Sequence, residues 1–216
     1  MEELCHRYKC RVVPAIIYFI ASGLTDCFIF LYYFNAGQLS SLAEVIDQRT
    51  GGWGLGYADT SPYNDKTVVG LIFLATNLFF FWAGLDLFNS KNYLLSFSVE
   101  IAGVASMYYH WSQIHYGPNR DEVRYALLID YITAFITINF TFIDVLQVVF
   151  KAYYSIDCGF PVPAIALGGA AVLCLFGSWT FEFGLPYLFL HGLWHVFSSL
   201  SVAGVGSQLT SSVCNL

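Results

Sequence analysis

The sequence predicts an all-α protein, a polytopic membrane bundle of about six transmembrane helices. Three observations carry that reading. Of 216 residues, 57% are apolar and 11% charged, where an ordinary soluble domain is roughly one-quarter charged. Mean hydropathy is +0.60. Charge-poor runs recur at close to the ~20 residues that cross a hydrocarbon core. The charge balance also excludes classes of function: nine Lys and Arg against fifteen Asp and Glu leave a net charge of −6 and no basic stripe for a nucleic acid. So much apolar and aromatic content excludes a disordered chain.

The runs fall at 13–34, 67–87, 92–112, 123–143, 160–178 and 183–206. The stretch from Asp144 to Ile156, with Lys151 inside it, is too short to cross alone and reads as a prolongation of the fourth helix. Arg7, Lys9 and Arg11 before the first run could open a cleaved signal peptide, but apolar character resumes from Cys27 to Phe34. A retained helix therefore fits better, with Asp26 in need of a buried partner. Those three cations put the N-terminus in the cytoplasm. By alternation the loop from Leu39 to Lys66 and that from His115 to Glu122 lie outside, and the Asp86 to Lys91 turn inside. Residues 1–66 thus form a first helix and exoplasmic loop, 67–206 a membrane domain, and 207–216 a short tail. The six cysteines (Cys5, Cys10, Cys27, Cys158, Cys174, Cys214) contain no C-x-x-C pair, which indicates neither a thiolate metal site nor a disulfide framework.

Polar residues at membrane depth are costly and point to function. The third run ends Ser106-Met-Tyr-Tyr-His110, the fourth opens with Asp130 in its first half, and the sixth carries His191-Gly-Leu-Trp-His195. His191 and His195, four apart, stack on one helix face at a spacing that lets two imidazoles reach one ion. Helices four and six run parallel, so His110, Asp130 and the histidine pair share a leaflet. Three imidazoles plus an exchangeable water make the open tetrahedral arrangement of catalytic zinc. Zinc would bring the pKa of that water towards neutrality. Asp130 could take its proton or orient it, and Ser106 could hydrogen-bond the water or an oxyanion. Each residue also has a plainer reading. A lone His in a membrane helix commonly packs through a hydrogen bond, Asp130 could favour a helix dipole, and Ser106 could be a small packing residue. Convergence of all of them in one leaflet favours the metal.

The ordered set Ser106-x-x-x-His110, Asp130, His191-x-x-x-His195 resembles the superfamily of alkaline ceramidases, adiponectin and progestin receptors and myomaker-like transmembrane proteins. Thr76-Asn77-Leu78 and the two histidine segments look closest to the myomaker-like branch. The resemblance implies Zn2+ held by His110, His191 and His195, with Ser106 and Asp130 beside the zinc-bound water, and a lipid amide or ester as substrate. It also implies a seven-helix core, whereas five helices follow Thr67 here. The 61 positions from Asp130 to His191 fall short of the order of 90 that the full set would need, so a helix pair is missing. A divergent minimal member, an incomplete gene model and a homodimer supplying the missing wall are all compatible with this.

Three functions follow as alternatives: a zinc-dependent lipid hydrolase, a receptor or membrane-remodelling protein with structural zinc, and a haem-bearing electron carrier using His110 and one of the later pair.

Overall fold

The computed structural model describes residues 39–50, 55–117, 120–154, 159–181 and 183–210. The run at 13–34, the cations at 7, 9 and 11, and all cysteines except Cys174 lie outside them. Among the described residues the chain is helical without strands: α1 (Leu39–Thr50), α2 (Val68–Ala75), α3 (Leu78–Asn89), α4 (Tyr93–Tyr116), α5 (Asp121–Tyr154), α6 (Val162–Thr180) and α7 (Gly184–Thr210). An isolated bridge joins Asp59 to Phe183.

Four stretches are long and apolar enough to cross a bilayer: Val68–Asn89, Asp121–Tyr154, Val162–Thr180 and Gly184–Leu209. This differs from the expected six. The 13–34 run lies outside the described residues. Helix α4 is present and, at 24 residues, about 36 Å long, but it is too polar to qualify by hydropathy. Five of its polar side chains face inward: Ser96, Ser106, His110, Ser112 and Gln113 are all buried. The prolongation beyond Asp144 is observed, since α5 is one helix of 34 residues.

Two further departures have local causes. The second run is broken at Thr76–Asn77, where backbone N–H groups bond three residues back (Thr76 to Phe73, Asn77 to Leu74). The side chains compete for the same carbonyls: Thr76 Oγ1 donates to Phe73 O at 2.6 Å and Asn77 Nδ2 to Leu74 O at 3.2 Å. The expected outer loop at 39–66 contains α1, whose Leu42, Ala43 and Ile46 pack on Val123, Ala126 and Leu127 of α5. Asp47 and Arg124 form an ion pair beside them.

The α3–α4 turn is a Schellman closure: Asn92 N bonds Leu87 O, Lys91 N bonds Phe88 O, and Lys91 takes a left-handed φ of 63°. The other end is covered by residues 55–67. There Gly184 N bonds Asp59 O at 2.9 Å, and His115 pairs with Asp65 at 2.7 Å. That hydrogen bond, followed by the charge of the imidazole, holds the Asp65 carboxyl below its usual range. The contribution is complete above the ordinary carboxylate pKa and is lost as pH falls through the lowered value.

Close helix approach uses small residues, as membrane bundles require. A Cβ on Gly103 would stand 2.8 Å from Phe80 Cβ, an atom fixed to the α3 backbone. Gly169 by contrast faces open space. Gly103→Ala should therefore push α3 from α4 and destabilise by about 1–3 kcal/mol, while Gly169→Ala should be neutral or stabilising by up to about 1 kcal/mol. Thermal unfolding in detergent compares the pair.

Candidate metal centre

Three helical segments bring the histidines together. His110 lies six residues before the end of α4, and His191 seven after the start of α7, so both sit about 10 Å below the same end of the bundle. One ring nitrogen from each of His110, His191 and His195 lies within 4.8 Å of the others. Points so spaced share a centre within about 2.8 Å of each, so adjustments of under about 1 Å bring all three to a metal–imidazole distance near 2 Å. His110 and His195 are 0% and 1% exposed; His191, at 9%, is the most open. Phe73 of α2 walls the group, its ring centroid 4.7, 6.2 and 5.8 Å from those of His110, His191 and His195. Gly192 allows this approach: a Cβ there would lie 3.2 Å from Thr76 Cγ2.

The hydrogen bonds decide which nitrogen each ring presents. Thr76 Oγ1 is 2.8 Å from His195 Nδ1, but its single proton is spent on Phe73 O. The hydroxyl must therefore accept, and Nδ1 must carry hydrogen. Ser178 of α6 repeats the device, donating to Leu175 O at 2.7 Å and accepting from His191 Nδ1 at 3.1 Å. Gln113 donates through Nε2 to Ala58 O at 2.9 Å, which turns Oε1 towards His110 Nδ1, also at 2.9 Å. All three rings are thus Nδ1–H tautomers with a bare lone pair on Nε2. Outer partners of this type orient metal-ligating histidines.

Four buried side-chain polar atoms among the described residues have no hydrogen-bond partner, and two of them are His110 Nε2 and His195 Nε2. Leaving a buried polar atom unpaired costs about 1–3 kcal/mol. Two such costs at one point, aimed at a common centre, are what a metal ion would remove. Compared with known protein families, curated proteins and solved structures, the chain matches none. The donor set is therefore the ground for assigning chemistry: three neutral imidazoles close enough together to hold a metal ion.

The structure does not bring the other two expected residues into hydrogen-bond contact with the rings. Ser106 is buried one turn before His110 on α4. Asp130, half-buried on α5, faces Tyr109 and Tyr187, close enough to interact with both electrostatically. These tyrosines border the centre. Tyr187 stacks on His191 with centroids 5.1 Å apart, and its hydroxyl lies 3.3 Å from Gln113 Nε2. Gln113 and Tyr187 carry a sequence signal, standing three residues after His110 and four before His191, each on its histidine's helix face. Thr76 is marked only through the resemblance of Thr76-Asn77-Leu78, and Ser178 carries none.

Removing an acceptor should loosen the tautomer it enforces. Thr76→Val keeps the shape but leaves His195 Nδ1–H unpaired, and the same holds for Ser178→Ala with His191. Each should weaken metal binding by about 10- to 100-fold with helix content unchanged. Chelator competition followed by metal analysis reads the effect.

Proposed function

We propose that the protein is a zinc-dependent intramembrane hydrolase of a lipid amide or ester. The observation that carries this is the approach of one ring nitrogen from each of three buried histidines to within 4.8 Å of the others, with an acceptor on every Nδ1. Three imidazoles with a fourth position left over are the donor set of catalytic zinc. Zinc, when bound, supplies a water of near-neutral pKa and polarisation of the scissile carbonyl.

The chain's residues do the rest. Asp130 takes the proton of the attacking water as its oxygen bonds to the acyl carbon, and returns it to the departing amine or alcohol. Ser106 donates a hydrogen bond to the oxygen that gains charge. Phe73 keeps bulk water from the reacting face. Tyr109 and Tyr187 adjoin both Asp130 and the imidazoles. The family likeness of Ser106, His110, Asp130, His191 and His195 to the ceramidase and myomaker-like superfamily supports this chemistry. We take the whole as a six-span protein with its N-terminus in the cytoplasm and the histidine end exoplasmic. An engineered glycosylation sequon at 118–120 should then be modified, and one before Arg7 should not.

A structural-metal reading, in a receptor or remodelling protein, draws on a different observation. His110 and His195 are sealed, and metal there would lock α4 to α7 whether or not a substrate enters. Haem is disfavoured by shape: three rings meet with centroids 4.8–5.0 Å apart around Phe73, which offers a point and no slot for a macrocycle between two axial imidazoles.

Asp130→Asn separates these readings. In a hydrolase it keeps the metal and loses turnover by about 10² to 10⁴, Ser106→Ala loses about 10 to 10³, and His191→Ala loses metal and turnover together. The assay is hydrolysis of ceramide, phospholipid and glycolipid-anchor substrates with zinc measured on the same samples. Fully zinc-loaded wild type without turnover would leave the structural reading.

A further inference from the structure

At the opposite end of the bundle a second buried ionisable group serves no part of this chemistry. Asp144 of α5 is 8% exposed. One carboxylate oxygen accepts from Asn92 Nδ2, a neutral partner. No Lys, Arg or His of the described residues lies within ion-pair distance. A carboxylate so buried in the protein without a cation is costly, and groups of this kind mark ligand sites. Beside it lies a partly open cavity of about 100 Å³ whose polar lining is Asp144, Asn92 and Gln147, with Phe140, Ile143, Leu94 and Leu95 as its apolar walls.

The lining defines what could fill it. Asp144 offers charge, and the side chains of Asn92 and Gln147 bring carboxamide oxygens as neutral acceptors. An ammonium group has three donors for such a set, and Phe140 adds an aromatic neighbour that favours a cation. A divalent ion would want six or more oxygens and is poorly served by one carboxylate and four apolar walls. Depth supplies the source. Asp144 is 23 residues along α5 from Asp121, about 35 Å, roughly one hydrocarbon thickness away. Asn92 sits at the start of α4, just after the exposed Lys91. The exposed side chain of Leu94 opens this level to lipid. The geometry points to a second binding site, at the opposite membrane face from the histidines, for a primary ammonium group, supplied by an ethanolamine-type lipid headgroup.

The test uses full-length protein in nanodiscs of equal phosphatidylethanolamine, phosphatidylcholine and phosphatidylglycerol, released into native mass spectrometry. Wild type should retain one phosphatidylethanolamine over phosphatidylcholine by about tenfold or more, as a charge-assisted hydrogen-bonded pair would give. Asp144→Asn, which preserves shape and the Asn92 contact, should bring the ratio to that of the bulk lipid. Replacing phosphatidylethanolamine with its N-acetylated form tests wild type itself and should abolish retention, so the proposal stays exposed should the variant fail to fold. His191→Ala should leave the preference intact, keeping this site separate from the metal reading. Ethanolamine hydrochloride in detergent, against sodium chloride at equal ionic strength, distinguishes sources: a thermal shift lost in Asp144→Asn shows that the free amine suffices, and its absence with lipid retained shows that the acyl chains are needed. Equal retention of the two zwitterionic lipids by wild type, or equal retention of the N-acetylated lipid, would overturn the assignment.

Discussion

Three neutral imidazoles buried in one layer impose a constraint that organises this half of the bundle: each Nδ1–H needs an acceptor that has already spent its own proton. Hydroxyls that donate to a carbonyl one turn back meet this condition, and so does an amide whose NH2 is pinned elsewhere. Thr76 at the α2–α3 junction, Ser178 on α6 and Gln113 on α4 are these groups. The acceptors come from different elements, so satisfying the rings also ties α2, α4, α6 and α7 to one point. Through Ala58, the chain outside the helices is tied there as well.

This explains two features that would otherwise count as defects. The break at Thr76 and Asn77 weakens a membrane helix where the ladder of hydrogen bonds should be most regular. It is also where the Thr76 hydroxyl reaches His195. The polarity of α4 lowers its hydropathy below that of its neighbours, yet Ser96, Ser106, Ser112, His110 and Gln113 are buried in the protein. Helices α6 and α7 close on each other through Gly168 against Ser201 and Gly204 against Ala164, and Ser201 donates to Ala164 O at 2.7 Å. Small residues thus set the distance at which Ser178 meets His191.

Much of the centre was legible in the sequence. The i, i+4 spacing of His191 and His195, with the alternation of helix direction, suffices to bring His110 to them. Helix ends near Tyr93, Asp121, Val162 and Gly184 follow from apolar run length. What was not legible depends on three-dimensional neighbours. Serines and threonines are common in membrane helices, and nothing local distinguishes Ser178 from Ser198. The α1 helix was hidden because its burial depends on α5, which has no counterpart in its own composition. A leaflet argument places Asp130 in the layer of the histidines but says nothing of its azimuth, so its neighbours Tyr109 and Tyr187 were not legible. Asp144 was read only as helix extension, because its partner Asn92 lies 52 residues away.

The enclosure of the imidazoles bears on how fast the centre can be loaded. Phe73 lies against all three rings, two of them have essentially no exposure, and residues 55–67 cover the nearer end. An ion entering or leaving must wait for this cover to part, whatever its affinity. Exchange is therefore governed by an opening rate, and a centre formed during membrane insertion would hold its ion on the timescale of local unfolding rather than that of ligand dissociation.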